Sequence, residues 1–377
     1  ACSGEVMKKT YLMLALFTSI FLIFGFVFIY SAGISMEARH PDVSASEFLE
    51  KQLIAFAIGL AGALVMIYLK GSWHFKKAFT IYYPLTLILL VAVLFFPDRG
   101  GSHRWLDIGS LSLQISEFAK ISLLMVLASY LGNIKKRSFL NTFLIPIGLV
   151  LPVAFLVFIE PDLSTTGILV AITFVMMIVG GIKLRYILLA IVLGVLIILI
   201  LYSGGFIKPY QLERITSFLT SITGEEHEQV SYSIMAISSG GLLGKGLGMG
   251  LVKYYLPVSY SDFIFAVIGE ELGLIGIVVL MMAYVGFIRE LILAGLKGPS
   301  KLEGKLYIIG FALYIMIQAT INIAVNLGLF PPTGVTLPFV SSGGSSIMSL
   351  MIGYGLVFAI LIEKEEENKA SETHEKT

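Results

Sequence analysis

Residues 11–30 read YLMLALFTSIFLIFGFVFIY, a run of twenty without one charged side chain. At 1.5 Å per helical residue such a run measures about 30 Å, the thickness of a bilayer's hydrocarbon core. No small-residue cleavage site follows it directly, so it reads as an anchor and not as a removable signal. Runs of this kind recur down the chain. Spans are expected near 11–32, 53–69, 76–96, 114–132, 141–159, 165–181, 185–202, 263–288, 306–328 and 342–362.

Composition points the same way. Of 377 residues, 57% are hydrophobic and 14% charged, with a mean hydropathy of +0.91. An average soluble domain carries about 25% charged residues. The 26 basic and 25 acidic side chains are too few to cover a soluble globule of this size. That excludes an ordinary soluble enzyme, a disordered chain, and a nucleic-acid binder needing a net basic surface. The expected fold class is all-α: a polytopic membrane protein of about ten transmembrane helices. A long extracytoplasmic loop, residues 203–262, is expected between the seventh and eighth helices. A stretch that long without secondary structure is uncommon and usually functional. The single cysteine, Cys2, allows no internal disulfide.

Ten spans place both termini on one side, and Lys and Arg favour cytoplasmic loops. With the N-terminus inside, 17 of the 26 basic residues fall inside and 8 outside, and Lys120 lies within a span. Both termini are therefore expected in the cytoplasm of a multi-pass protein. Residues 1–6, preceding Met7, read as a processing or expression scar; 7–362 as a single membrane domain; and 363–377 as a charged, disordered cytoplasmic tail. No internal repeat is visible, which argues against an inverted-repeat transporter.

Charges inside spans are costly and default to functional hypotheses. Glu117 and Lys120 stand three apart on one helical face, either as a neutralised pair locking two helices or as part of a polar interior. Glu270 and Glu271 need a cation that the sequence does not choose among Arg104, Lys120 and others. Gln318, Asn322 and Asn326 repeat every four residues as a polar stripe, more often interhelical glue than catalysis. Asp262 stands where the long loop meets the eighth span. It reads either as an N-cap or as a general base at the headgroup level.

Ser238–Gly248 and Ser341–Ser346 are rich in Ser and Gly. Gly-Lys at 244–245 is followed by Gly246 and not by Ser or Thr, so no nucleotide loop is present. These glycines permit close packing or a re-entrant turn, or else they present backbone amides, with Lys245, to an anionic headgroup. Arg104 beside Trp105, and Arg214, are further outer-face cations. Five scattered histidines give neither a zinc motif nor a Ser/His/Asp signature.

Taken in order, these segments resemble the family of shape, elongation, division and sporulation proteins, the peptidoglycan polymerases FtsW, RodA and SpoVE. The matching stretches are Tyr30-Ser31-Ala32, His103-Arg104-Trp105-Leu106, Ile115 to Lys120 and Glu160 to Thr165. They continue through Gly240 to Gly250, Leu256-Pro257, Ser261 to Phe265, Gly269 to Gly273, Leu337-Pro338-Phe339 and Ser342 to Ser346. Two places depart from the usual pattern: Gln114-Ile115-Ser116 stands for Gln-Pro-Ser, and Pro257 to Ser261 stands for Pro-Glu-Ala-His-Thr. Lys253 to Pro257 leans toward the division branch.

The resemblance implies a ten-span glycosyltransferase of the bacterial inner membrane that polymerises lipid II by inverting transfer, with Asp262 as essential base. It marks the Glu117–Lys120 region as part of the polar interior, and with the residue reading the substrate-binding candidates are Arg104, Lys245, Arg214, Glu117, Lys120, Ser342 and Gly343. No cofactor is implied beyond a divalent ion, magnesium or manganese, as an alternative to a cationic side chain at the pyrophosphate. Expected partners are lipid II, membrane lipid, a class B penicillin-binding transpeptidase and other divisome or elongasome membrane proteins, with no nucleic acid. A lipid II flippase and a scaffold for a penicillin-binding protein are the rival readings.

Overall fold

The computed structural model describes residues 2–40, 42–96, 104–108, 111–204 and 228–374. A helix fills each of the ten expected windows. In chain order they are α1 (Cys2–Arg39), α2 (Ala45–Tyr68), α3 (Gly71–Val93), α4 (Ile115–Asn133), α5 (Leu140–Ile159), α6 (Leu163–Val179) and α7 (Leu184–Ser203). After α8 (Glu228–Gly240), which lies within the long loop, come α9 (Ile264–Lys297), α10 (Leu302–Asn326) and α11 (Gly344–His374). Among the described residues, eight helices are long and apolar enough to cross a membrane, and α6 is a shorter apolar helix. The strands β1 (Trp105–Ile108) and β2 (Leu111–Gln114) pair antiparallel, with Trp105 opposite Gln114.

Burial sorts the helices. The most apolar windows of α4 and α11 are 83% buried by protein, whereas that of α3 is 17% buried. So α4 and α11 form the centre, and α1, α2, α3 and α5 present much of their surface outward. Close approach depends on small residues. A Cβ on Gly355 of α11 would stand 2.5 Å from Ala63 Cα on α2, so only glycine permits that crossing.

Proline explains two irregular turns. Pro84 and Pro146 lack the N–H that an α-helix would use. In each case one π turn, Ala78–Tyr82 or Leu140–Leu144, precedes the proline and carries the chain into the next helical stretch. In α9 the helix breaks at Gly273, whose φ of 65° and ψ of −162° are non-helical.

Two sequence expectations change. The long loop is not structureless: it contains α8 and a 3₁₀ turn at Val252–Tyr255. The charged tail is helical as far as His374. It is held by Glu366 to Lys70 at 2.8 Å, Glu363 to the Ser72 amide at 2.8 Å and Glu367 to Ser300 at 2.8 Å.

Candidate functional site

Asp262 precedes α9 and is not its cap. Phe263 takes the N-cap position, and the amide of Ala266 is received instead by Asn326 Oδ1 at 3.2 Å. The Asp262 carbonyl accepts from both Asn322 Nδ2 and Asn326 Nδ2, each at 3.0 Å. Asn322 also donates to the Val335 carbonyl at 2.7 Å. The polar stripe on α10 is thus the mounting that fixes the Asp262 backbone. With its main chain anchored from behind, the carboxylate faces a cavity, where Ser261 Oγ donates to its Oδ1 at 2.9 Å.

The segment before α11 braces the same turn. Ser341 Oγ donates to the Ser261 carbonyl at 2.7 Å, and the Ser342 amide donates to the Tyr260 carbonyl at 2.9 Å. Gln52 of α2 donates to the Ser341 carbonyl at 3.3 Å and accepts the Gly343 amide at 3.0 Å. Burial, and then the Asp262 carboxylate, push the Tyr260 phenol above its ordinary range.

The facing wall comes from the hairpin, the turn between α5 and α6, and α4. Arg104 Nε donates to the Glu160 carbonyl at 2.8 Å, and its Nη2 donates to the Pro161 carbonyl. Its Nη1 lies 3.8 Å from Asp162 Oδ2. Asp162 caps α6 by accepting the Thr165 amide at 3.0 Å and also accepts from Gln114 Nε2 at 3.1 Å. Deeper in, Lys120 Nζ meets Glu117 at 2.7 Å and Gln318 Oε1 at 3.3 Å, and lies 5.4 Å from the centre of the Tyr314 ring. The pair therefore joins α4 to α10 and also lines the cavity. The two readings of it coexist.

The cavity holds about 290 Å³ and is walled by Arg104, Glu117, Lys120, Asp162, Asp262, Gln318 and Ser342 to Ser346 among others. Three carboxylates and two cations thus share one space. Behind it, Glu160 is fully buried, and neither carboxyl oxygen has a hydrogen-bond partner among the described residues. Burial first, and then the charge of Asp162, raise its pKa to about 8, while Arg104 opposes the shift.

Of the residues singled out by sequence, Arg104, Glu117, Lys120, Asp262, Ser342 and Gly343 converge here. Lys245 does not: it pairs with Glu270 at 2.8 Å, away from the cavity. Arg214 lies outside the described residues. Sequence reasoning missed Asp162, although it stands inside a matched stretch. It also missed Gln52 and Thr336, which carry no local signal, and the part that Gln318, Asn322 and Asn326 play in mounting the site. Among the described residues no group of three or more His, Cys, Asp or Glu side chains is gathered to hold a metal ion.

The acidic pair Glu270–Glu271 builds a second polar centre. Glu270 accepts from Lys245 and from the amides of Leu251, Val252 and Lys253 at 2.7–3.2 Å. Glu271 accepts from Lys253 Nζ at 2.7 Å, Ser31 Oγ at 2.5 Å and the Gly248 amide at 2.9 Å.

Comparisons with known proteins place this geometry. The family model FTSW_RODA_SPOVE, described as "Cell cycle protein", matches residues 11–366. Stage V sporulation protein E of Bacillus subtilis is 32% identical over 369 residues, covering 94% of this chain and 98% of that protein. A probable peptidoglycan glycosyltransferase FtsW of Coxiella burnetii is 37% identical over 290 residues, covering 74% of this chain and 77% of its own length. Among solved structures, one from work on the structural coordination of polymerization and crosslinking by a peptidoglycan synthase complex superposes with a TM-score of 0.76. It has 27% identity and covers 93% of this chain and 97% of that one. The rod shape determining protein RodA of Thermus thermophilus gives 0.69 at 27% identity, covering 93% and 96%.

Proposed function

The chain belongs to the FTSW_RODA_SPOVE family of cell cycle proteins, and from that premise we propose that it is a peptidoglycan glycosyltransferase that polymerises lipid II. It would work at the outer face of a bacterial inner membrane, with both termini in the cytoplasm. The observation that carries the reading is the single cavity in which Asp262, Arg104 and the Glu117–Lys120 pair meet.

In this reading Asp262 removes the proton from the 4-hydroxyl of the acceptor sugar. The freed oxygen attacks the anomeric carbon of the donor, the bond to the lipid pyrophosphate breaks, and configuration inverts. General-base assistance of this kind contributes about 10²–10⁴-fold. The carbonyl mounting supports the role, because it fixes the main chain at 262 with the carboxylate on the cavity wall.

Negative charge builds on the departing pyrophosphate and needs fixed cations. Among the described residues, Arg104 and Lys120 are the cationic side chains that line the cavity. Arg104 is oriented by two backbone carbonyls. Lys120 spends two of its three donors on Glu117 and Gln318. The amides of Ser342 and Gly343 are committed to Tyr260 and Gln52, so that segment shapes the wall. Lys245 has no place in this scheme. A class B penicillin-binding transpeptidase is the proposed partner, in keeping with the synthase complex among the similar structures. Kinship to both FtsW and SpoVE fits the division side of the family.

The test is polymerisation of purified lipid II by the detergent-solubilised protein, with and without its transpeptidase and with magnesium or manganese. Polymer from the wild type and none from Asp262→Asn is the expected result. A well-folded wild type that makes no polymer under any of these conditions, yet moves lipid II between the leaflets of sealed vesicles, would replace the polymerase with a flippase.

A further inference from the structure

In the segment that leads into α9, α8 runs alongside α9 in the same direction. Near its start Ser233 donates to the Asn326 carbonyl at 2.9 Å, at the level of Ala266, while its last residue, Gly240, packs directly against Gly269. The chain then joins the break in α9 through main-chain bonds. The amides of Lys245 and Gly246 donate to the Glu270 and Glu271 carbonyls at 3.0 Å each. The amides of Leu274 and Ile275 donate to the Gly241 and Leu242 carbonyls at 2.9 and 3.2 Å.

The position of that junction sets its depth. Gly273 lies nine residues past Ile264, the start of α9, or about 14 Å along a helix rising 1.5 Å per residue. Half of a hydrocarbon core about 30 Å thick is about 15 Å. Non-helical backbone at such depth is tolerated only where protein satisfies its polar groups. The second polar centre does that: Glu270 and Glu271 take the amides of Gly248, Leu251, Val252 and Lys253. Gly273 has no alternative there, because a Cβ would lie 2.6 Å from the Leu242 carbonyl oxygen and overlap the Gly244 amide.

The side chains of this turn point the other way. Leu242, Leu243, Leu247, Met249 and Leu251 are each 59–79% exposed. None is charged or aromatic. They continue the outward apolar face of α9, where Leu274 and Ile275 are also exposed. We propose that these five side chains insert among lipid acyl chains in the leaflet at the cavity's end of the bundle, making residues 228–256 a re-entrant helix and turn. The occupant is lipid because the surface continues a membrane-spanning face, and the charge within the turn, Lys245, has its ammonium on Glu270. The returning segment, 256–262, then brings Asp262 up from the membrane to the cavity. The proposal stands without the glycosyl-transfer reading.

The experiment uses the full-length protein in phosphatidylcholine nanodiscs, where both faces meet water. Cys2 is replaced by Ser, and a single cysteine is placed as Leu243→Cys or Leu247→Cys, with Asp42→Cys in the exposed turn between α1 and α2 as control. Each is treated with a charged, membrane-impermeant thiol reagent. In parallel, a small fluorophore on the cysteine is quenched by lipids brominated midway along the acyl chain. The expected result is loss of aqueous labelling and strong lipid quenching at 243 and 247, with the reverse at 42. Labelling at 243 and 247 as fast as at 42 would overturn the proposal, as would protection from the reagent without lipid quenching, which assigns the surface to protein. Two separate positions guard against one variant failing to fold.

Discussion

Two sets of buried carboxylates sit in this bundle and are treated in opposite ways. Glu270 and Glu271, both fully buried, are surrounded by donors: two lysines, a serine and four backbone amides. At the cavity, Glu117 has one oxygen on Lys120 and the other without a partner among the described residues, and Glu160 has partners for neither oxygen. A saturated carboxylate is a structural tie, since its hydrogen bonds are spent and its charge is neutralised. An undersupplied one keeps acceptor capacity that a ligand's donor can take up. The difference separates scaffold from site more sharply than the presence of charge within a span, which both regions share.

Four substitutions break or sharpen that contrast. The largest effect is expected from Asp262→Asn: lipid II polymerisation falls about 10²–10⁴-fold while thermal stability changes little, since the main-chain bonds from Asn322 and Asn326 remain. Equal activity of variant and wild type would remove the base assignment. Next comes Lys253→Met in the saturated centre. It strands Glu271 and should lower stability by about 3–5 kcal/mol, read as a fall in melting temperature by fluorescence-detected size exclusion. The double change Lys253→Met with Glu271→Met should recover much of that loss, since removing both partners leaves no buried charge. If the single variant melts like the wild type, the centre is not a tie.

Third is Arg104→Lys. It keeps the charge and loses the fork to the Glu160 and Pro161 carbonyls. One lost hydrogen bond is worth about 0.5–1.5 kcal/mol, or up to about tenfold in kcat/KM. Initial rates across lipid II concentrations would show it.

The fourth is read through pH dependence, in stability and not in rate. Glu160 has a folded pKa of about 8 against an ordinary 4.5. Folding therefore takes up a proton across that window. Stability linked to Glu160 is full below about 4.5, falls as pH rises toward about 8, and levels above it. Glu160→Gln should match the wild type at the acid end and melt higher at the alkaline end. Parallel melting curves for both proteins across the window would show that the carboxyl does not titrate there.

The contrast also shows what could be read early. Each of the ten expected windows holds a helix because a span needs about twenty apolar residues whatever it packs against. The Glu117–Lys120 pair was legible for a similar reason: three residues is a helical neighbour distance. The saturated centre was not. Lys245 and Lys253 are 25 and 18 residues from their partners, across a loop whose path no local rule fixes. Lys245 therefore read as a headgroup ligand, whereas its ammonium sits on Glu270. The tail of α11 looked disordered from its charge alone, yet Lys70 and the Ser72 amide, nearly three hundred residues earlier, supply what its glutamates need.

By itself, then, the sequence determined that this chain spans a membrane many times, that an aspartate opens the span after the long loop, and which polar residues stand in costly places. Those properties depend on runs and spacings within a turn or two, where hydropathy and helical geometry act alone. Tertiary structure decided which carboxylates are satisfied and which face the cavity, that Asn326 and not Asp262 caps α9, and that the loop turns back into the bundle. Each of those outcomes depends on which donor a distant segment brings within hydrogen-bond reach, and only the packed bundle sets that distance.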